Sequence, residues 1–137
     1  MNPLILKRLI GSLSGPALGP ELVVNGDFSV GVGWSVPAGA TISDGALNCA
    51  AASGWLYRTG VNIVTGKTYR LQFDMSDYVS GSARVYIQIS SIFGAFASSN
   101  GHHSSDIVCT AGGAQEIGMN LSSLTAKIDN LSIKEVL

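Results

Sequence analysis

Two kinds of side chain stand out in this sequence for the chemistry they could do together. In "GWLYRTG" the rings of Trp55 and Tyr57 fall two residues apart, on one face of an extended chain. In "KTYRLQFDMS" Arg70, Gln72 and Asp74 share a face, and in "SARVYIQIS" so do Arg84, Tyr86 and Gln88. Exposed rings can stack on the apolar face of a sugar, while guanidinium, amide and phenol groups clamp its hydroxyls. Trp55, Tyr57, Arg70, Gln72, Arg84, Tyr86 and Gln88 are therefore the candidate glycan-binding residues. The plainer reading is a solvated sheet face, with Trp55 packed on an edge or against a neighbouring protein.

Catalytic chemistry is not indicated. Hydrolysis of a glycosidic bond needs two carboxylates facing each other across a cleft. The nine acidic residues are scattered, mostly at turns and strand ends, and no pair is set by spacing. Serines are abundant, but no nucleophile-elbow motif contains one. His102 and His103 are the only histidines. Adjacent strand residues point to opposite faces, so the pair reads as a polar loop after Asn100-Gly101 and not as a metal site. The expectation is a protein that is not an enzyme and needs no cofactor.

The elements that must position these groups are strands. "KTYRLQFDMS" alternates Tyr69, Leu71, Phe73 and Met75 with polar residues, and "SARVYIQIS" does the same with Ala83, Val85, Ile87 and Ile89. Such alternation marks half-buried antiparallel strands. "DYVSG" between them reads as a hairpin loop that pairs Asp74 with Arg84 and Gln72 with Tyr86. Further strands are expected at 22–28, 46–51, 55–64, 104–110, 115–121 and 127–136, with glycine- and serine-rich turns every 8–12 residues. About eight short strands predict an all-β, two-sheet antiparallel sandwich of the jelly-roll kind. In the last strand Ile128, Leu131 and Ile133 break strict alternation, which predicts a bulge at Asp129-Asn130. Phe93 and Phe96 read equally well as core or contact residues.

The first twenty residues differ from the rest. Asn2-Pro3 suits a helix start, and Leu6, Leu9, Ile10 and Leu13 form one apolar stripe with Lys7 and Arg8 off it. Gly11 and Gly15 confine such a helix to two or three turns, which is marginal alone in water. "SGPALGP" reads as a linker. The expected division is an anchoring arm and linker at 1–20, extended or short-helical, and a sandwich at 21–137. Leu4, Leu6, Lys7, Arg8, Leu9, Ile10 and Leu13 are the expected assembly-anchor residues.

Composition narrows the partners. The chain has 137 residues, enough for one domain with a real core. Only 12% of residues are charged, against 46% hydrophobic, so its surfaces are nearly neutral or covered. A formal net charge of −1 gives no footing for an electrostatic nucleic-acid binder. No apolar run approaches the roughly 20 residues that span a bilayer, and Lys7-Arg8 interrupt any signal-peptide core. Cys49 and Cys109 could pair, but without an export signal two buried reduced thiols are expected.

From residue 21 to 136 the chain resembles the carbohydrate-binding-module jelly rolls of the family 4/9/22 type. The resemblance is carried by "ELVVNGDFS…GW", "GKTYRLQFDMS" and "KIDNLSIKEV", in that order. It implies first and last strands close in space, with Asn25 and Asp27 turning the chain and Trp34 capping an edge. Many such modules hold a structural calcium ion through an acid after the phenylalanine. Here that position is Ser29, which leaves Asp27 and Asp129 as weak calcium candidates, and the expectation is no metal.

Modules of this type occur in phage virion proteins as well as in polysaccharide-degrading enzymes. A chain that opens on its own methionine with an apolar, basic arm suits a subunit docked on a larger assembly. The leading expectation is thus a virion structural protein, assembled in the host cytoplasm. It would decorate a capsid through its arm, with the major capsid protein or other virion proteins, and further copies of itself, as partners. The alternative is a glycan-binding module of a tail or fibre protein that recognises host surface polysaccharide.

Overall fold

A computed structural model describes residues 16–87 and 92–137. The expected anchor residues Leu4, Leu6, Lys7, Arg8, Leu9, Ile10 and Leu13, and the candidate Gln88, lie outside the described residues.

The described chain is all-β. Its strands are β1 (Ala40–Ser43), β2 (Ala46–Ile63), β3 (Thr68–Ile87), β4 (Ile92–Phe93), β5 (Gly101–Val108) and β6 (Gly113–Glu135). All pairings are antiparallel, in the order β1-β2-β6-β3-β4, with β5 also on β3. Three strands are long: 18, 20 and 23 residues. Straight, the longest would reach roughly 75 Å, several times the radius of a domain this size. The strands bend, and each contributes to two layers.

The bends coincide. Register slips occur between Cys49 and Gly54 in β2 and between Ser76 and Ser82 in β3, both opposite residues 122–125 of β6. Positive φ angles gather there: Ala51, Gly54, Asp77, Gly81 and Ser123. Side chains take up the backbone groups the bend frees. Ala51 N donates to Thr125 Oγ1 at 2.9 Å, Ser123 N to Ser53 Oγ at 2.9 Å, and Tyr78 Oη to Gly81 O at 2.8 Å. On one side of the corner lies layer A: residues 54–63 of β2, 113–121 of β6, 82–87 of β3, then β4. On the other lies layer B: β1, residues 46–52 of β2, 124–135 of β6, 68–76 of β3, then β5.

Inward residues of both layers form one core. Leu56, Ile117, Met119 and Ile87 from layer A meet Leu47, Leu71, Ile128 and Ile133 from layer B, all fully buried. Cys49 and Cys109 are buried there as free thiols, and burial pushes the Cys49 thiol up to about 11. The bulge in the last strand is present. Asn130 has a φ of 50°, and the two residues Asn130 and Leu131 of β6 oppose the single residue Phe73 of β3, between the pairs Asp129–Asp74 and Ser132–Gln72.

The hairpin at "DYVSG" is not. Asp74 pairs with Asp129 and His102, and Arg84 with Asn120, so the Asp74–Arg84 and Gln72–Tyr86 pairs do not exist. The stretch bends where a hairpin would reverse, because β6 is equally long and offers both halves of β3 a continuous neighbour. For the same reason 46–51 and 55–64 are one strand, as are 115–121 and 127–136. The expected strand at 22–28 is a turn: Leu22 N donates to Ile133 O, and then Asn25 and Phe28 take positive φ. First and last segments do lie together, with Leu18 bridging Val136 and Leu131 N donating to Gly26 O at 2.8 Å. Pro16–Pro20, expected as linker, thus runs beside the end of β6. Trp34 closes the adjoining edge: it is 8% exposed, tilted on Phe28 at 5.6 Å, and donates its indole N–H to Asn25 O.

Candidate functional site

The outer face of layer A carries an aromatic and polar cluster fixed by strand register. Trp55 and Arg84 both lie opposite Asn120, and Tyr57 and Tyr86 both lie opposite Gly118. The row across three strands spans roughly 10 Å from Trp55 to Arg84. Gly118 is required by close approach, since a Cβ there would sit 1.8 Å from Leu56 O. At the edge, β4 adds Phe93 beside Tyr86, and the segment to Ala97 pairs back on Ala83.

The rings interlock. Trp55 stands edge-on to Tyr86 at 4.8 Å and tilted to Phe93 at 6.2 Å. Tyr86 is wholly buried beneath them and donates its hydroxyl to Glu116 Oε1 at 2.9 Å. Burial first, then the Glu116 carboxylate, pushes its phenol far above the usual range. Tyr86 therefore supports the platform and does not itself meet a ligand. Trp55 and Tyr57 remain partly exposed. The Arg84 guanidinium lies over Phe93 at 3.8 Å and over Phe96 at 4.3 Å, and its Nε is buried without a hydrogen-bond partner.

Arg70 and Gln72 are not part of this cluster. They precede the bend in β3 and so lie on the outer face of layer B. Arg70 there makes a two-pronged bond to Asp106 at 2.8 and 2.9 Å, which holds that carboxyl below its usual range. Gln72 donates to Ser104 Oγ at 3.3 Å. His102 and His103 occupy strand β5 on opposite faces and not a loop. His102 Nδ1 lies 2.6 Å from Asp74 Oδ1, and His103 packs on Phe73 at 5.2 Å. Asn130 Nδ2 donates to the second oxygen of Asp74, and the Asn130 bond is the larger cause of that carboxyl's lowered pKa, ahead of His102.

Layer B also borders an open, polar groove of about 420 Å³ between the 21–27 segment and β6, lined by Glu21, Asp27, Gln72, His102, Asn130 and Lys134 among others. Among the described residues no Phe, Tyr or Trp lines it. Glu21 accepts backbone N–H from Leu22, Val23 and Ile133, so its carboxylate knits the first segment to the last. Asp27 accepts from Ser29 N and Oγ, which lowers its pKa, and Asp129 accepts from Asn130 N. The two weak calcium candidates thus serve their own turns. Among the described residues no three of His, Cys, Asp and Glu converge as metal ligands.

Sequence reasoning missed Asn120, Glu116 and the role of Phe93 and Phe96. The signal for the first two was present: 115–121 was expected as a strand, and its outward positions are 116, 118 and 120. Nothing in the residues said that β6 would lie between the Trp55 and Arg84 strands.

No family model matches the sequence, and no curated protein does so significantly. The fold, in contrast, is shared with solved structures. The enzymatically active domain of tailspike protein 4 of bacteriophage CBA120 superposes with a TM-score of 0.60 at 17% identity, over 85% of this chain. This chain spans 21% of the length of that domain's chain. A CBM4 structure superposes with a TM-score of 0.59 at 14% identity, over 82% of this chain and 99% of its own. The mannan-binding module of Man5C matches more loosely, with a TM-score of 0.47 at 17% identity, over 77% of this chain and 93% of its own. At such identities the likeness is one of fold alone: the bent layers form an antiparallel jelly-roll sandwich.

Proposed function

We propose that this chain is a non-catalytic glycan-binding module, of the kind a phage tail or fibre protein would use on a surface polysaccharide. One observation carries the reading. Layer A presents Trp55 and Tyr57, partly exposed, with Trp55 in register with Asn120 and Arg84, as a ring platform edged by hydrogen-bonding groups. A pyranose ring stacks its C–H face on such rings and gives its hydroxyls to the amide and charged ends. The fold it shares with a CBM4 structure and a tailspike domain supports the assignment.

Several carboxylates serve contacts within the fold. Glu116 is engaged by Tyr86, Asp74 by His102 and Asn130, Asp106 by Arg70, and Glu135 by Lys67. Capsid decoration draws its argument from the arm, whose residues 1–15 lie outside the described residues, and no feature of the fold favours it over glycan binding.

The test is a glycan array followed by calorimetry. Trp55→Ala and Tyr57→Ala, both at partly exposed positions, are expected to lower affinity about tenfold or more, roughly 1.4 kcal/mol. Each variant remains folded at the assay temperature, with some loss of thermal stability in Trp55→Ala because its ring packs on Tyr86 and Phe93. Retention of full affinity in both variants would remove layer A as the site.

A further inference from the structure

Most cations of the described chain are occupied; Lys134, a partly exposed ammonium at the polar groove, and Arg84 are not. Arg70 is saturated by Asp106, Lys67 meets Glu135 at 2.6 Å, Lys127 lies 3.5 Å from Asp77, and Arg58 donates to Val24 O and stacks on Trp34. Arg84 differs. It sits between two phenyl faces, Phe93 and Phe96, and makes no hydrogen bond or ion pair among the described residues. Aromatic faces engage the flat faces of a guanidinium, but its N–H groups lie in the plane: the Nε–H is buried without a partner, and the terminal nitrogens stay open to solvent or a ligand. A buried donor left without an acceptor is costly, and a guanidinium fork matches a carboxylate in shape and charge.

Its position fixes what could answer it. Arg84 is opposite Asn120, next in the row to Trp55, so a group bonded to it would sit at the end of a sugar stacked on Trp55. Glu116, the nearest acid along β6, is four residues from Asn120, roughly 13 Å away, and is engaged by Tyr86. The two ends of the face thus differ: the acid is engaged by Tyr86, and the guanidinium has no acid partner among the described residues. Phe93 and Phe96 fix the plane of the guanidinium before a ligand arrives, which reduces the ordering cost of binding.

From this we infer that the saccharide bound at layer A carries a carboxylate, and that Arg84 is the residue that reads it. The inference rests on the glycan-binding reading and adds the chemical class of the ligand.

The experiment uses the full chain on an array of oligosaccharides containing uronic or sialic acid, each printed beside its carboxyl-reduced counterpart. The expected result is binding of an acidic member at least about tenfold tighter than its reduced partner, with the preference shrinking as salt rises. The uronate and sialate arms identify which acid it is. Arg84→Gln erases the preference, Arg84→Lys restores it in part because a lysine lacks the fork, and Arg70→Gln, an equal charge loss on layer B, leaves it intact. Equal, Trp55-dependent binding of acidic and reduced forms overturns the carboxylate inference while the glycan reading stands. Absence of binding to every member overturns the carboxylate inference, while the general glycan array with the Trp55 and Tyr57 variants decides the glycan reading separately. An equal loss of preference in Arg70→Gln assigns it to net charge and overturns the role of Arg84. If Arg84→Gln unfolds, the wild-type comparison and its salt dependence decide alone.

Discussion

Tyr86 shows how one residue can belong to a binding face without touching what binds. Its ring is the floor under Trp55 and Phe93, and its hydroxyl is anchored on Glu116. Two substitutions separate these roles. Tyr86→Phe keeps the floor and loses one hydrogen bond. Its former acceptor Glu116 is partly exposed and can turn to water, so the expected cost is about 1 kcal/mol, with glycan affinity nearly unchanged. Tyr86→Ala removes a fully buried ring, which costs about 3–5 kcal/mol and lets Trp55 lose its orientation. Urea unfolding of both variants, read beside calorimetric binding, checks the ordering. A Tyr86→Phe variant that binds as poorly as Trp55→Ala would show that the hydroxyl contacts ligand directly.

At the scale of elements, the corner shared by β2, β3 and β6 determines which residues end up together. Gly81 sits in it with a φ of 87°, and a Cβ there would lie 2.2 Å from Ser123 O and 2.6 Å from Ser122 O. Both obstacles are backbone and cannot rotate away. Gly81→Ala is expected to cost about 2–4 kcal/mol in urea unfolding, more than the roughly 1 kcal/mol of an ordinary glycine change. Gly45→Ala, at a turn with open space around it, supplies the comparison for positive-φ strain alone. The same corner explains what the sequence could and could not disclose. Alternation is a local signal, so Tyr69 to Met75 and Ala83 to Ile87 are legible as buried edges of strands, and so is the bulge after Ile128. Whether Asp77 to Gly81 reverses the chain or bends it depends on β6, some forty residues further on, and no local pattern carries that. Hence Trp55, Tyr57 and Arg84 could be picked out singly as candidates. Their separation from Arg70 and Gln72, and their meeting across Asn120, could not.

Across the whole molecule, charge is sparse and mostly spent on joining layer B. Arg70–Asp106 and His102–Asp74 clip the edge strand β5 to β3, and Asn130–Asp74 ties β3 to β6. The carboxyls of Asp74 and Asp106 both titrate below the ordinary aspartate value of 3.8 in the folded chain, through Asn130 and Arg70 respectively. A group depressed on folding stabilises above its unfolded value and stops doing so as pH falls through its folded value. Stability is therefore expected to be flat with respect to these groups above about pH 5 and to decline progressively below about pH 4. Both side chains are 41% exposed, so the loss per group is small and diminishes in high salt. Because the clips are local, the decline should begin at β5. At pH 3 hydrogen-exchange protection, taken relative to the intrinsic rate at that pH, is expected to fall first at the amides bonded between β5 and β3, while those between β2 and β6 in layer A keep theirs. Asp106→Asn should flatten the acid limb of the thermal unfolding curve and produce the β5 opening already at neutral pH. Uniform loss of protection across both layers would instead mean that acid acts on the core as a unit, and that β5 is held by its backbone ladder alone.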